Sequence, residues 1–422
     1  MNIEKIYKIY QQYPSIQTDT RKLKKDDLFF ALKGPNFNGN DFAQQALEQG
    51  AAYVITDEPL SFSDNRIIKV DDALNALQQL AKFHRDQFHI PFIAITGSNG
   101  KTTTKELVHE VLSSTFKTYT TQGNLNNHIG VPLTILRIKP DAAFAVIEMG
   151  ANHLKEIEGY CKYAQPTHGL ITNIGKAHLE GFGGAENVKK GKGELFDFLK
   201  LNNGIAFVNE DDPAVLELGN RLKNTIHYGT TGKANTGRLL KKDPFIEVKI
   251  NSGESIQTKL VGAYNLPNVL AAVCIGQYFK IDNGKIKNAI ENYTPSNSRS
   301  QLIKSGSNTI ILDAYNANPG SMTAAIENFA AMKADKKVLL LGDMKELGED
   351  SLKEHAAIVS LIKKYKWEDV VLVGKNFSEV DNSYIHFENS KQASDWWKQE
   401  NIKNVLLLVK GSRSMQMEKV LE

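Results

Sequence analysis

The stretch FIAITGSNGKTTTKELVHEVL, residues 92 to 112, runs from an apolar segment through a small-residue loop into a Gly-Lys-Thr triplet. Gly97 and Gly100 allow the loop to curl until its amides point inward, and a helix beginning near Lys101 adds its positive N-terminal end. A polyphosphate fits such a cradle. Lys101 would reach the β- and γ-phosphates, and the Thr102 hydroxyl would ligate the accompanying magnesium. The common form of the motif, Gly, four residues, then Gly-Lys-Ser/Thr, fails at its first glycine, where Ile95 stands. An ordinary tight strand-to-helix turn is the alternative. The strand before, the helix after and the Gly-Lys-Thr run together favour phosphate.

Chemistry on that phosphate needs oxygen-rich magnesium sites. Glu148, in VIEMGANH, ends an apolar run where a ligand at the top of a sheet belongs, although a lone Glu after a strand is more often a solvated loop acid. His178, in the glycine-rich ITNIGKAHLEGFGG, is by itself a weak ligand candidate. Lys192, in KKGKGELF, cannot bind a metal as an ammonium, and beside Lys189 and Lys190 its plain reading is a solvated helix face. GNLNNHIGVPLTIL, residues 123 to 136, is dense in amides suited to sugar or pyrophosphate oxygens, or is simply a turn-rich loop. In DAYNANPGSM, residues 313 to 322, two asparagines and a tyrosine before Pro319 make either a polar pocket for a small zwitterion or an N-cap with Asx turns.

The elements that must position these residues alternate. From residue 89, the β-rich runs FIAITG, AFAVIEMG, HGLITNIG and GIAFVNEDD are each followed by helical periodicity, which implies a parallel sheet with its ligand site at the strands' C-terminal ends. A turn-rich stretch from about 228 to 262, with FIEVKI and SIQTKLVG, reads as a small antiparallel insertion. After a Ser-, Asn- and Pro-rich linker near 294 to 298, a second βα series starts with TIILDAYNA, KVLLLGDM, DVVLVG and NVLLLVKG. Residues 1 to about 88 form a third block, with DDLFFALKG and AAYVIT as strands around the helical NDFAQQALEQG. The expected fold is therefore α/β in three units: 1–88, 89–296 and 297–422.

Composition narrows the partners. A chain of 422 residues, 41% hydrophobic, exceeds one compact core. Its 51 basic and 48 acidic residues are interleaved, with a net charge of +3, so no face for nucleic acid or anionic lipid is expected. Cys161 and Cys274, far apart, read as inert core thiols of a reducing compartment. Without a secretory apolar run or a membrane span, a cytoplasmic protein is expected.

TGSNGKTTTKE resembles the phosphate loop of the Mur ligase superfamily, which has this shortened glycine spacing, and the resemblance extends from about residue 17 to 418 in the family's order. It implies a uridine-substrate domain, an ATP domain and a mobile Rossmann-like domain. Gly97, Ser98, Asn99, Gly100, Lys101, Thr102 and Thr103 become the ATP loop, with Asn268 of LVGAYNLPNVLAAV at adenine, Arg299 on phosphate and Asp313 on ribose. Family members usually carry Gly before that arginine, and Ser298 departs from this.

The resemblance also assigns metal and substrate residues. Glu148 matches a magnesium-binding Glu, with Asn152 and His153 matching beside it, and His178 matches the residue at a second magnesium. Lys192 matches a lysine that reacts with carbon dioxide to become an anionic carbamate ligand, which requires a neutral amine and hence a lowered pKa. Asn126 and Asn127 fall on the substrate side, and Thr18, Asp19, Thr20 and Arg21 near the uridine nucleotide, although Asn38 and Asn40 replace a usual Asp and His. Arg21 has the alternative of a surface ion-pair former. The run Tyr315, Asn316, Ala317, Asn318, Pro319 points to the member that joins D-alanyl-D-alanine to UDP-N-acetylmuramoyl-tripeptide through an acyl phosphate. Lys410, with Gly411, Ser412 and Arg413, would form a carboxylate corner. Catalysis would rest on Lys101, His178, Lys192, ATP and two magnesium ions, in a monomer with small-molecule substrates and no stable membrane association. The rival readings are a related or folate-type amino-acid ligase, and a non-catalytic nucleotide-binding precursor sensor.

Overall fold

The computed structural model describes residues 3–231, 236–296 and 298–422. The first two residues of the N-terminal block, part of the 228–262 stretch and Asn297 of the expected linker lie outside them. Three α/β units with a small antiparallel insertion are observed, as expected from the alternating runs.

The central sheet has six parallel strands, in the spatial order Thr225–Tyr228, Ile205–Asn209, His168–Ile171, Phe92–Thr96, Phe144–Glu148, Thr118–Thr120. Phe92–Thr96 lies between the strands that end at Glu148 and Ile171, so the chain order reverses at its C-terminal end and opens a crevice there. All five of its residues are buried. Phe92 and Ala94 face one core and Ile93 and Ile95 the other, which is why the run is apolar throughout rather than alternating. Each fully buried Ile or Phe contributes about 1.5–3 kcal/mol. The helices Lys101–Ser113 and Leu266–Tyr278 cover the face of Ile93 and Ile95 through Leu107, Val108, Val111 and Val269 to Val273.

The insertion is an antiparallel meander of Gly237–Lys241, Phe245–Ile250 and Ser255–Val261. The N-terminal unit has a parallel four-stranded sheet, Ile16–Gln17, Leu28–Phe30, Tyr53–Thr56 and Ile67–Lys69. The C-terminal sheet orders Gln301–Ser305, Asn308–Asp313, Leu406–Lys410, Lys337–Gly342, Asp369–Val373 and Ile385–Phe387, parallel except for the first pair. Its adjacent strands end at Asp313 and Lys410, which are in register. Among the described residues no helix is long and apolar enough to cross a membrane.

The strands not anticipated from the sequence are Ile16–Gln17, Ile67–Lys69, Thr118–Thr120, Thr225–Tyr228, Gln301–Ser305 and Ile385–Phe387, together with the first strand of the meander, Gly237–Lys241, and the pair Lys33–Gly34 and Phe37–Asn38. The first six lie at sheet edges. An edge strand is short and half-exposed, so it lacks the continuous apolar run that marks a central one.

Candidate active site

The phosphate loop leaves Thr96 and enters the helix Lys101–Ser113 through two glycines in the left-handed region, Gly97 at φ 140 and Gly100 at φ 78. Neither position has room for a side chain. A Cβ on Gly97 would stand 2.0 Å from Thr172 Oγ1, and one on Gly100 would stand 2.5 Å from Asn268 Oδ1. The segment after strand His168–Ile171 fastens the loop. Asn173 O accepts from Ser98 N at 3.0 Å, Asn173 Oδ1 accepts from Asn99 N at 3.0 Å, and the Thr172 hydroxyl donates to Asn99 O at 2.6 Å. Asn268 accepts from the Thr104 hydroxyl and donates to Asn265 Oδ1, so it props the loop from behind.

Lys101 folds back over this loop, its Nζ donating to Gly97 O at 2.8 Å and Ser98 O at 3.1 Å. Burial pushes the ammonium down to about 8, opposed by the nearby Glu148 carboxylate and reinforced by Arg299. An ammonium resting on two loop carbonyls at the cavity edge is placed where an anionic oxygen could replace them.

Glu148, at the end of strand Phe144–Glu148, is only 1% exposed. Its Oε1 accepts from the Thr102 hydroxyl at 3.1 Å and from Asn126 Nδ2 at 2.8 Å. Its Oε2 is buried with no hydrogen-bond partner. A buried carboxylate oxygen left so is costly unless a cation meets it. The position therefore suits a divalent ion flanked by the Thr102 hydroxyl.

Lys192, on the helix Ala185–Leu201, is fully buried rather than on a solvated face. Its Nζ donates to Ala151 O at 2.8 Å and lies 5.1 Å from the Phe182 ring centroid. Burial, with repulsion from Lys101, pushes the amine well below the ordinary lysine value, although Glu156 and Glu194 oppose the shift. Ala151, its acceptor, lines the cavity.

The C-terminal sheet closes over the loop. His178 Nδ1, at a left-handed residue, lies against Glu346 Oε2, and that contact holds the Glu346 carboxyl below its usual range. Asn318 Nδ2 donates to Asn99 Oδ1 at 2.7 Å, and Lys176 Nζ pairs with Glu354 at 2.6 Å. Asn318 also caps the helix Pro319–Ala331 through a reciprocal bond pair with Ser321. The Arg299 guanidinium stacks on the Tyr315 ring at 3.6 Å, and Arg413 stands 5.7 Å from that ring's centroid. Ser298 and Ser300, either side of Arg299, adopt φ 54 and φ 47. The glycine expected before this arginine is thus one the backbone would favour.

A cavity of about 510 Å³ gathers Ser98 to Thr103, Asn126, Asn127, Glu148, His178, Asn268, Arg299, Asp313, Tyr315, Asn316, Asn318 and Lys410. Lys410 is buried, its Nζ 2.5 Å from Asp313 Oδ2 and 3.2 Å from Asn316 O, so its charge is engaged by Asp313. The Asn127 carboxamide accepts from Ile129 N and Gly130 N, the Asx turn weighed from sequence. Asn316 Oδ1 accepts from Ala317 N at 2.9 Å.

Thr18, Asp19, Thr20 and Arg21 do not line this cavity. Arg21 makes a two-pronged ion pair with Asp19 at 2.8 Å on each prong, with its side chain 87% exposed. Asn38 and Asn40 bind each other, and pair with Glu58 and Asp57. Residues not anticipated are Thr172 and Asn173, which fasten the loop, Tyr264 and Asn265 on the cavity wall, and Glu346. The Thr-Asn pair closing HGLITN carried a signal, since polar residues just past a parallel strand lie beside the crevice.

Three family models match consecutive parts of the chain: the Mur ligase family catalytic domain over residues 12–85, the Mur ligase middle domain over 95–276 and the Mur ligase glutamate ligase domain over 298–413. The UDP-N-acetylmuramoyl-tripeptide--D-alanyl-D-alanine ligase of Bacillus subtilis is 34% identical over 96% of this chain and 92% of its own length. Its Escherichia coli counterpart is 36% identical over 96% and 92%. Among solved structures, MurF from Acinetobacter baumannii superposes with a TM-score of 0.86 at 30% identity, covering 96% of this chain and 92% of that one. MurF ligase from Thermotoga maritima in complex with ADP superposes at 0.85 and 26% identity, covering 96% of each chain.

Proposed function

We infer the function from one premise: this chain belongs to the Mur ligase family. It is an ATP-dependent, ADP-forming ligase that adds D-alanyl-D-alanine to UDP-N-acetylmuramoyl-tripeptide in peptidoglycan precursor synthesis. ATP is used with magnesium. The observation that carries the reading is the meeting, in one cavity, of the Lys101 loop, the half-satisfied Glu148 carboxylate and the Arg299–Tyr315 stack.

A carboxylate is a poor electrophile. Its oxygen attacks the γ-phosphorus of ATP, ADP leaves, and the acyl phosphate is then attacked by the dipeptide amine, which loses a proton as inorganic phosphate departs. Lys101 turns from Gly97 O and Ser98 O onto the transferring phosphoryl, and Arg299 supplies a second cation from the closing unit. Thr102 and Glu148 would hold magnesium, which would supply positive charge against the phosphates and the attacking acid. Tyr315, Asn316 and Asn318 line the dipeptide side, with Lys410 holding Asp313 for the ribose. Asn126 and Asn127 face the acceptor, Asn268 the adenine edge, and Thr18 to Arg21 the uridine end.

Lys192 carries a carbamate in the working enzyme. Its buried, depressed amine supplies the neutral nucleophile that adds to carbon dioxide with release of a proton. Among the described residues no three His, Cys, Asp or Glu side chains converge on one point. A carbamate would add the anionic ligand that a second magnesium beside His178 needs. Residues 1–88, 89–296 and 297–422 act as the uridine, ATP and closing domains, and the enzyme works in the cytoplasm.

The test is a coupled phosphate-release assay with D-alanyl-D-alanine, glutamate, lysine and diaminopimelate as competing amines. Release that depends on the dipeptide supports the reading, and release with a single amino acid instead overturns it. For Lys192, intact mass under carbon dioxide should show the adduct, and short carboxylates should restore Lys192→Ala. Failure of both removes the carbamate.

A further inference from the structure

Two loops from different units meet at His178. One runs into the short helix Leu179–Phe182 of the central unit, and the other leaves the strand Lys337–Gly342 of the C-terminal unit. They touch at several points. His178 Nδ1 is buried against Glu346 Oε2, Glu180 N donates to Glu346 O at 3.2 Å, and Lys176 Nζ pairs with Glu354 at 2.6 Å. A Cβ on Gly348 would rest 3.4 Å from Glu180 Cβ. His178 and Glu346 both adopt a positive φ, 54 and 63, which non-glycine residues hold only where the surroundings dictate it.

The C-terminal loop stands on a rigid base. Asp343 and His355 beneath it are both fully buried. The Asp343 carboxylate accepts from Asn376 N at 2.9 Å and Phe377 N at 3.1 Å, and Asp343 O accepts from Ser412 N at 3.0 Å. Met344 N donates to His355 Nε2 at 3.1 Å, so the proton of that ring sits on Nδ1 and goes to Ser351 O at 2.7 Å. Two residues further on, Glu346 is half-exposed, yet its charge is felt at Lys101.

We propose that Glu346 is a positioning residue for His178: carried in by the C-terminal unit, it fixes the imidazole with its proton on Nδ1 and its Nε2 lone pair turned to the reaction cavity. His178 lines that cavity while its Nδ1 is buried. A carboxylate at Nδ1 holds this tautomer and raises the basicity of the other ring nitrogen. That is the form in which an imidazole ligates a divalent cation. The inference rests on the ligase reading, and it adds that the histidine is set for use only while the two units are together.

The experiment takes the full chain, isotope-labelled on its histidine ring nitrogens, and reads it by NMR without nucleotide or metal, with His178 assigned by its absence in His178→Asn. The native protein should show the Nδ1-protonated tautomer, and Glu346→Ala should move it towards the Nε2-protonated form that a free imidazole prefers. In the phosphate-release assay, Glu346→Ala should lower kcat about tenfold with the KM for ATP unchanged. Glu346→Gln, whose amide oxygen still accepts from Nδ1, should keep most of kcat and the native tautomer. Lys176→Met removes the neighbouring pair between the units without touching His178, and should leave both readouts at their native values. A native tautomer in Glu346→Ala, a Glu346→Gln protein as slow as the alanine variant, or an equal loss in Lys176→Met overturns the proposal while the ligase reading stands. If the native protein releases no phosphate with the dipeptide, the ligase reading falls, and the tautomer comparison decides for Glu346 by itself.

Discussion

Replacing Lys101 by Met should make the protein more stable at neutral pH while abolishing turnover. Burial pushes the Lys101 ammonium down to about 8 from 10.5. At about 1.4 kcal/mol per unit, keeping that charge in the folded loop costs roughly 3 kcal/mol at pH 7. Met fills similar volume without the charge. The bonds it forgoes, to Gly97 O and Ser98 O, face the open cavity and give back about 1 kcal/mol. The expected net gain is roughly 2 kcal/mol, read as a shift of the urea midpoint of the central unit's transition at unchanged slope. The pH dependence fixes the cause. Below about 8 the lysine is protonated in folded and unfolded chains alike, and the native protein bears the full penalty. Between about 8 and 10.5 only the unfolded chain holds the proton, so native stability rises with pH and the advantage of the variant shrinks. A Lys101→Met protein less stable than the native one at pH 7, or a difference that stays flat from pH 8 to 10.5, would refute this account.

Glu148→Gln keeps an oxygen for Thr102 and Asn126 but turns the unpartnered oxygen into a donor. The fold should persist by circular dichroism, the thermal shift produced by magnesium-ATP should vanish, and kcat should fall by about 10³. Gly97→Ala and Gly100→Ala should each lose ATP binding by calorimetry and about 2 kcal/mol or more of stability, because the added Cβ would stand 2.0 Å from Thr172 Oγ1 and 2.5 Å from Asn268 Oδ1 respectively. Ser298→Gly should stabilise the closed arrangement by about 1 kcal/mol, since φ 54 suits glycine, and the KM for ATP should fall or stay level. A rise in that KM would mean the Ser298 side chain does more than occupy a strained position.

Much of the site was legible because its chemistry is local. Gly97, Gly100, Lys101 and Thr102 are neighbours in sequence, and the loop that holds a phosphate is made by consecutive amides. The buried central strands were equally plain, because a strand covered on both faces must be apolar at every position, as Phe92 to Ile95 are. Lys192 shows the limit. Its sequence neighbourhood is basic and reads as a solvated face, and only the helix's packing against Phe182 and Ala151 takes the amine out of water.

The amino-acid sequence by itself determined the alternating α/β rhythm, the phosphate loop and the family, because periodicity and short motifs are properties of consecutive residues. Tertiary structure decided which far-apart groups share a field: Glu148 with Thr102 and Asn126, His178 with Glu346, Asn99 with Asn318, Asp313 with Lys410. It also decided which charges are desolvated. Both follow from the crossover connections that bring strand ends together, and electrostatic energies depend on that proximity and burial rather than on position along the chain.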